Sequence, residues 1–210
     1  MFNETLPLSH QLFPITNVKC SVKVNKVVDL NRLFEDCQKL HMGFRSTRQP
    51  SFIVISLPEG SIRLIVFCNK KSTKFMHINI TGITSDFELG IALKNITKIL
   101  NCEESEISIP IIDNITAKSD ILLHSMCEYG KTSINLRNLM NYIKSNLGKE
   151  LIHLRYNPET YAALVIKALG TCVLVYSTGK VVVIGGKHYL NIKNLVNIIN
   201  NSLCQHLASI

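Results

Sequence analysis

The sequence lacks the usual marks of catalysis. It contains no glycine-rich phosphate loop, no cluster of carboxylates and no serine–histidine or cysteine–histidine pairing at a usable spacing. His77, His124, His153 and His188 read as surface or strand histidines. The seven cysteines, at 20, 37, 68, 102, 127, 172 and 204, form no Cys-x-x-Cys and have no neighbouring histidine pair at ligand spacing. Metal-site and disulfide-framework readings are both weak on that pattern. Long apolar runs are missing too, since a run such as 62–68 is interrupted by Arg63 and falls far short of membrane-spanning length. The first sixteen residues have neither a basic segment nor a sustained apolar segment, so a soluble protein in a reducing cytosol or nucleus is expected. Triplets such as Asn79-Ile80-Thr81 would then carry no glycan.

What is present is a core and a charge. The 210 residues are 46% hydrophobic, enough to fold without covalent staples as one large domain or two small ones. Basic residues exceed acidic ones by 23 to 15, a net charge of +8 that favours acidic partners such as nucleic acid. Asn, Ile and Lys are abundant, as an A/T-rich coding sequence produces.

The sequence also repeats itself. Phe52 and Phe67 lie fifteen apart in strand-like runs, and Tyr161 and Tyr176 lie fifteen apart in the same setting, offset by 109. Around the second aromatic, Leu64-Ile65-Val66-Phe67-Cys68-Asn69-Lys70-Lys71 aligns with Val173-Leu174-Val175-Tyr176-Ser177-Thr178-Gly179-Lys180. Each is a strand entering a polar turn that closes on a lysine. Asn17-Val18 and Asn114-Ile115 open the two copies, and Thr81-Gly82 and Ile184-Gly185 end a hairpin just before a helix.

One unit reads as strand, helix, four strands, helix. In copy one, residues 15–24 alternate as a strand, and Asp29 caps a helix with Leu30, Leu33, Phe34 and Cys37 on one face. Strands around Phe52, Phe67 and 75–80 follow. The closing helix begins with a capping-box pattern from Ser85 to Glu88 and presents Leu89, Leu93, Ile96 and Leu100. Copy two is expected to have a strand over 111–122 and a helix with Leu136, Leu139, Met140 and Ile143. Strands near Ile152, Ala163, Leu174 and Val182 come next, then a helix with Ile192, Leu195, Val196, Ile199 and Leu203. The joint falls at 101–105, which assigns 1–104 to the first repeat and 105–210 to the second, without a low-complexity linker.

The segment Tyr156-Asn157-Pro158-Glu159-Thr160-Tyr161-Ala162-Ala163-Leu164-Val165, followed by 173–182 and Gly185-Gly186-Lys187, closely resembles the second repeat of TATA-box-binding proteins. Copy one resembles the first repeat more faintly, through Asn17-Val18, Asp29-Leu30, Gln49-Pro50-Ser51-Phe52, 64–67 and Thr81-Gly82. The likeness runs over roughly residues 12 to 204. It implies an α+β fold: a pseudo-symmetric saddle in which two repeats form one curved antiparallel sheet, concave toward DNA, with helices on the convex face.

The resemblance also implies site residues. Phe52 with Phe67 and Tyr161 with Tyr176 match the paired aromatics that wedge between base steps, an unstacking that costs on the order of a few kcal/mol. A tyrosine in that role must find a polar partner for its hydroxyl. Asn17 and Asn114 match central asparagines whose amide donors meet the minor-groove acceptors of A·T pairs. Lys71, Lys167 and Lys180 match phosphate-binding positions, which give salt-dependent affinity blind to sequence. Thr81 matches a groove-facing threonine. Glu159 lies where the family meets a factor-IIB-like protein.

The implied function is a transcription initiation factor that binds and bends A/T-rich double-stranded DNA through the minor groove. Its partners would be a factor-IIB-like protein and the RNA polymerase machinery, in the nucleus or in the cytoplasmic factory of a large DNA virus. No cofactor is expected. Several positions depart from the family pattern: Lys19 and Thr116 replace valines, Ile184 replaces a threonine, Pro58 replaces a basic residue, and the hairpin over 68–80 is longer than its counterpart. These departures support an alternative, a saddle that has lost TATA specificity and serves as a protein-interaction subunit. Enzymes that carry a related saddle keep their chemistry in an additional domain, so catalysis is not expected of these 210 residues.

Overall fold

The two periodicities of the sequence become strands and helices in the computed structural model, which describes residues 14–39, 43–45, 52–58, 60–67, 75–146 and 153–208. The chain divides into two compact units, Asn17–Asp113 and Asn114–Ile210, with residues 14–16 grouping with the second.

The first unit runs β1 (Ile15–Val24), α1 (Leu30–Lys39), β2 (Gly43–Arg45), β3 (Phe52–Ser56), β4 (Arg63–Phe67), β5 (Met76–Ile83) and α2 (Asp86–Leu100). Its strands lie in the order β2-β3-β4-β5-β1, with antiparallel pairings. Alternation sends Cys20, Val22, Ile53, Ile55, Leu64, Val66, Ile78 and Ile80 to one face, where they are buried with Leu33 and Cys37 of α1 and Leu89, Ala92, Ile96 and Ile99 of α2. Each such aliphatic contributes about 1.5 to 3 kcal/mol through burial. The same burial pushes the Cys20 thiol up to about 12 and the Cys37 thiol up to about 11, with Asp113 and Asp36 respectively adding to the shift. These two cysteines are core side chains.

The second unit runs β6 (Ile111–Ser119), α3 (Ile121–Glu128), α4 (Leu136–Asn146), β7 (His153–Asn157), β8 (Tyr161–Ala168), β9 (Thr171–Tyr176), β10 (Val181–Gly186) and α5 (Tyr189–Ala208). The strand order, β7-β8-β9-β10-β6, repeats that of the first unit. Leu164, Ile166, Val173, Val175, Val181 and Val183 form its covered face, against Ile192, Leu195, Val196 and Ile199 of α5.

Three details differ from the sequence reading. The strand expected over 111–122 stops at Ser119, and α3 follows at Ile121 with Leu122, Ser125 and Met126 buried. On α2 the buried stripe uses Ala92 and Ile99, while Leu93 is half-buried. The cap of α2 is also offset: Ser85 Oγ accepts from Glu88 N–H at 3.3 Å, but the Glu88 carboxylate accepts from the backbone and hydroxyl of Thr84, one residue before the cap.

Candidate nucleic-acid interface

Helices cover one face of each sheet, and the strand period leaves the other face open. In the first unit the open face carries Phe52 and Phe67, which face each other directly across β3 and β4. Their rings are 6.0 Å apart and tilted by 44°. Phe52 is 42% exposed, so it is not a core residue. Beyond Phe67 the same face continues through His77, and Arg63 stands opposite Thr81.

The second unit presents Tyr161 and Tyr176 in a different register. Tyr176 faces Ala163, so Tyr161 sits diagonal to it. The offset follows from the β8–β9 turn, where Leu169 (φ 52°) and Gly170 (φ 70°) both hold positive φ, the mark of a two-residue type I′ hairpin. The tyrosine hydroxyls meet at 3.3 Å, which supplies the polar partner each requires. That contact, more than burial or the charge of the neighbour, raises the Tyr176 pKa.

Cations flank this pair. On one side a cleft of about 270 Å³ is lined by His153, Arg155 and Lys167 together with Tyr161. On the other, a cleft of about 420 Å³ is lined by Lys118, Lys180 and Thr178 together with Tyr176, and by one acidic residue, Asp120.

Asn17 and Asn114 occupy equivalent places in the two units. Each stands beside a β-bulge, where the register slips between Val18 and Cys20 against β5 and between Val183 and Gly186 against β6. A glycine with φ of +82° sits in each bulge, Gly82 in one and Gly185 in the other. Gly82 N–H donates to Asn17 Oδ1 at 2.6 Å, and Gly185 N–H donates to Asn114 Oδ1 at 2.7 Å.

The second half of the chain, residues 112–206, matches the family model described as "Transcription factor TFIID (or TATA-binding protein, TBP)". The TATA-box-binding protein of Archaeoglobus fulgidus is 26% identical over 191 residues, a span covering 90% of this chain and 93% of that protein. The structure of Methanococcus jannaschii TBP superposes with a TM-score of 0.63 at 23% identity, covering 92% of this chain and 98% of that one. The second half of the chain thus matches the TATA-binding-protein family model, and the chain as a whole is similar to archaeal TATA-box-binding proteins. The family is one of transcription factors, not enzymes.

The remaining family-matched positions fall into place unevenly. Lys167 and Lys180 stand on the open face beside the tyrosines, whereas Lys71 lies outside the described residues. Thr81 lies on the open face of β5, immediately before the bulge glycine. Glu159 is exposed in the β7–β8 turn, its N–H donating to Asn157 Oδ1 at 3.2 Å. Among the positions that depart from the family, Lys19 is within 4.0 Å of Asp113, which also accepts from Ser21 Oγ at 3.3 Å, and Ile184 is 40% exposed. The sequence alone does not single out Arg155 or Lys118, and it presents His153 as a surface or strand histidine. Their signal was the period of two that puts His153 and Arg155 on the face of Lys167. It became legible only once the β7–β8 register paired His153 with Lys167 and Arg155 with Val165.

Proposed function

We propose that the chain binds A/T-rich double-stranded DNA through the minor groove, bends it, and recruits a factor-IIB-like protein and RNA polymerase. One observation carries the reading: each unit holds a pair of aromatic rings on the uncovered face of its sheet, and in the second unit cations flank that pair on both sides. Rings held outward can wedge between base steps, while lysines and arginine neutralise the phosphates beside them. The asparagine amides supply donors suited to adenine N3 and thymine O2, which a guanine amino group would obstruct. Glu159, exposed in its turn, is the candidate contact for the factor-IIB-like partner, and Lys71 is a further candidate phosphate contact.

A second reading, a protein-interaction subunit without TATA preference, draws on the Lys19–Asp113 pair, which adds charge to the open face, and on exposed Ile184, an aliphatic side chain where the family has a hydrogen-bonding threonine. A salt-titrated binding assay on matched TATA and G·C-rich duplexes separates the two. Under the first reading, wild type prefers the TATA duplex and the doubles Phe52→Ala/Phe67→Ala and Tyr161→Ala/Tyr176→Ala each abolish that preference. Lys167→Ala and Lys180→Ala instead weaken both duplexes alike, each lowering the salt slope by about 1. Weak binding equal on both duplexes and indifferent to the aromatics would leave the interaction subunit as the function.

A further inference from the structure

A bulge leaves the extra residue of its strand outside the ladder, so its backbone groups need another partner. In both units that residue is a glycine and the partner is the side chain of an asparagine far away in sequence. An N–H can be accepted only by the oxygen end of an amide, so the bond settles which way each amide points. Asn114 has a second restraint, a 3.5 Å contact from Nδ2 to Thr116 Oγ1.

We propose that Gly82 and Gly185 are positioning residues that lock Asn17 and Asn114 with Oδ1 turned into the bulge and the NH2 group turned outward as the groove-reading donor. The inference rests on the minor-groove reading above. It adds that discrimination against G·C pairs depends on two backbone amides that touch no base. A free asparagine could present its oxygen or its nitrogen, and only the nitrogen end suits the acceptors of an A·T pair. The latch removes the wrong choice before DNA arrives. It needs glycine because φ of +82° lies where other L residues are strained.

The two positions are not equally testable. A Cβ on Gly82 would lie 2.2 Å from the Ser61 carbonyl oxygen, so Gly82→Ala disrupts the strand itself. A Cβ on Gly185 would meet nothing within 4 Å, so Gly185→Ala adds only backbone strain, which moves the N–H off Asn114. Gly170→Ala is the matched control, since Gly170 also has positive φ (70°) and open space around its Cβ but no asparagine bound to it.

The experiment measures the affinity ratio for TATA over G·C-rich duplex in the full chain, together with the salt slope and the exchange protection of the Gly185 amide. Gly185→Ala is expected to lower the ratio roughly fivefold, the worth of one hydrogen bond, without changing the salt slope. Asn114→Asp, which keeps the acceptor and loses the donor, should lower it at least as far while Gly185 stays protected. The double variant should be no worse than Asn114→Asp alone. A ratio unchanged in Gly185→Ala, or lowered equally by Gly170→Ala, overturns the latch. Should Gly185→Ala fail to fold, protection of Gly185 decides: kept in Asn114→Asp and lost in Asn114→Ala it upholds the latch, and equal in both it overturns it. A wild-type ratio near one would instead defeat the minor-groove reading on which the latch rests.

Discussion

Tyr161 and Tyr176 differ from Phe52 and Phe67 by two hydroxyls, and those hydroxyls bond to each other. The shared bond holds the Tyr176 proton, raising its pKa above the ordinary value near 10. The sign follows directly. The stabilisation is fully present below the ordinary tyrosine range and is lost as pH rises through the raised value. Near neutrality the Tyr176 ring is therefore uncharged and adds no repulsion toward phosphate. Removing the partner in Tyr161→Phe is expected to bring the Tyr176 ionisation down toward its ordinary range. Phenolate absorbance followed through an alkaline titration reads this directly, and an unmoved Tyr176 would mean the hydroxyl contact does not hold in solution.

At the scale of elements, the clearest sequence signals were the longest. The alternation of 15–24, regular from Val18 to Val24, gave β1 over Ile15–Val24, and the buried residues of α5 include Ile192, Leu195, Val196, Ile199 and Leu203, as the 3.6 period required. The short helix α3 was hidden because Ile121-Leu122-Leu123 follows β6 with only Asp120 between them, and eight residues are too few for a helical period to stand out. The aromatic pairs were visible through their equal spacing, but their registers were not, because register depends on turn type. A two-residue hairpin sets Tyr161 diagonal to Tyr176, while the link from Leu57 to Ile62 sets Phe52 opposite Phe67. The asparagine latches were out of reach altogether, since a bulge leaves no periodic trace beyond an isolated glycine. The β8–β9 hairpin also carries a local cost, for Leu169 sits at φ 52° with its side chain exposed. Asparagine tolerates that conformation better, so Leu169→Asn is expected to stabilise the fold by about 0.5 to 1 kcal/mol, read from the midpoint of urea unfolding. A lowered midpoint would show that the leucine side chain contributes more than its backbone costs.

At the scale of the whole molecule, a net charge of +8 draws the chain toward any polyanion, so attraction alone says little about specificity. What sets this chain apart is where the charge meets the aromatic rings, in the clefts on either side of Tyr161 and Tyr176. One of those clefts is bordered by β7, the last strand in the order of its sheet. An outermost strand offers a row of backbone donors and acceptors to any other extended chain, and charged side chains along it discourage that association. His153 and Arg155 sit on this strand, both exposed. Arg155→Val should therefore do more than weaken DNA binding: it should make the protein self-associate as its concentration rises, an effect visible in light scattering without DNA. A monodisperse Arg155→Val protein would free this arginine of any such duty. If scattering does increase, the residues proposed to grip nucleic acid are also those that keep copies of the protein apart, and the edge strand β7 could not lose its charge without losing solubility as well.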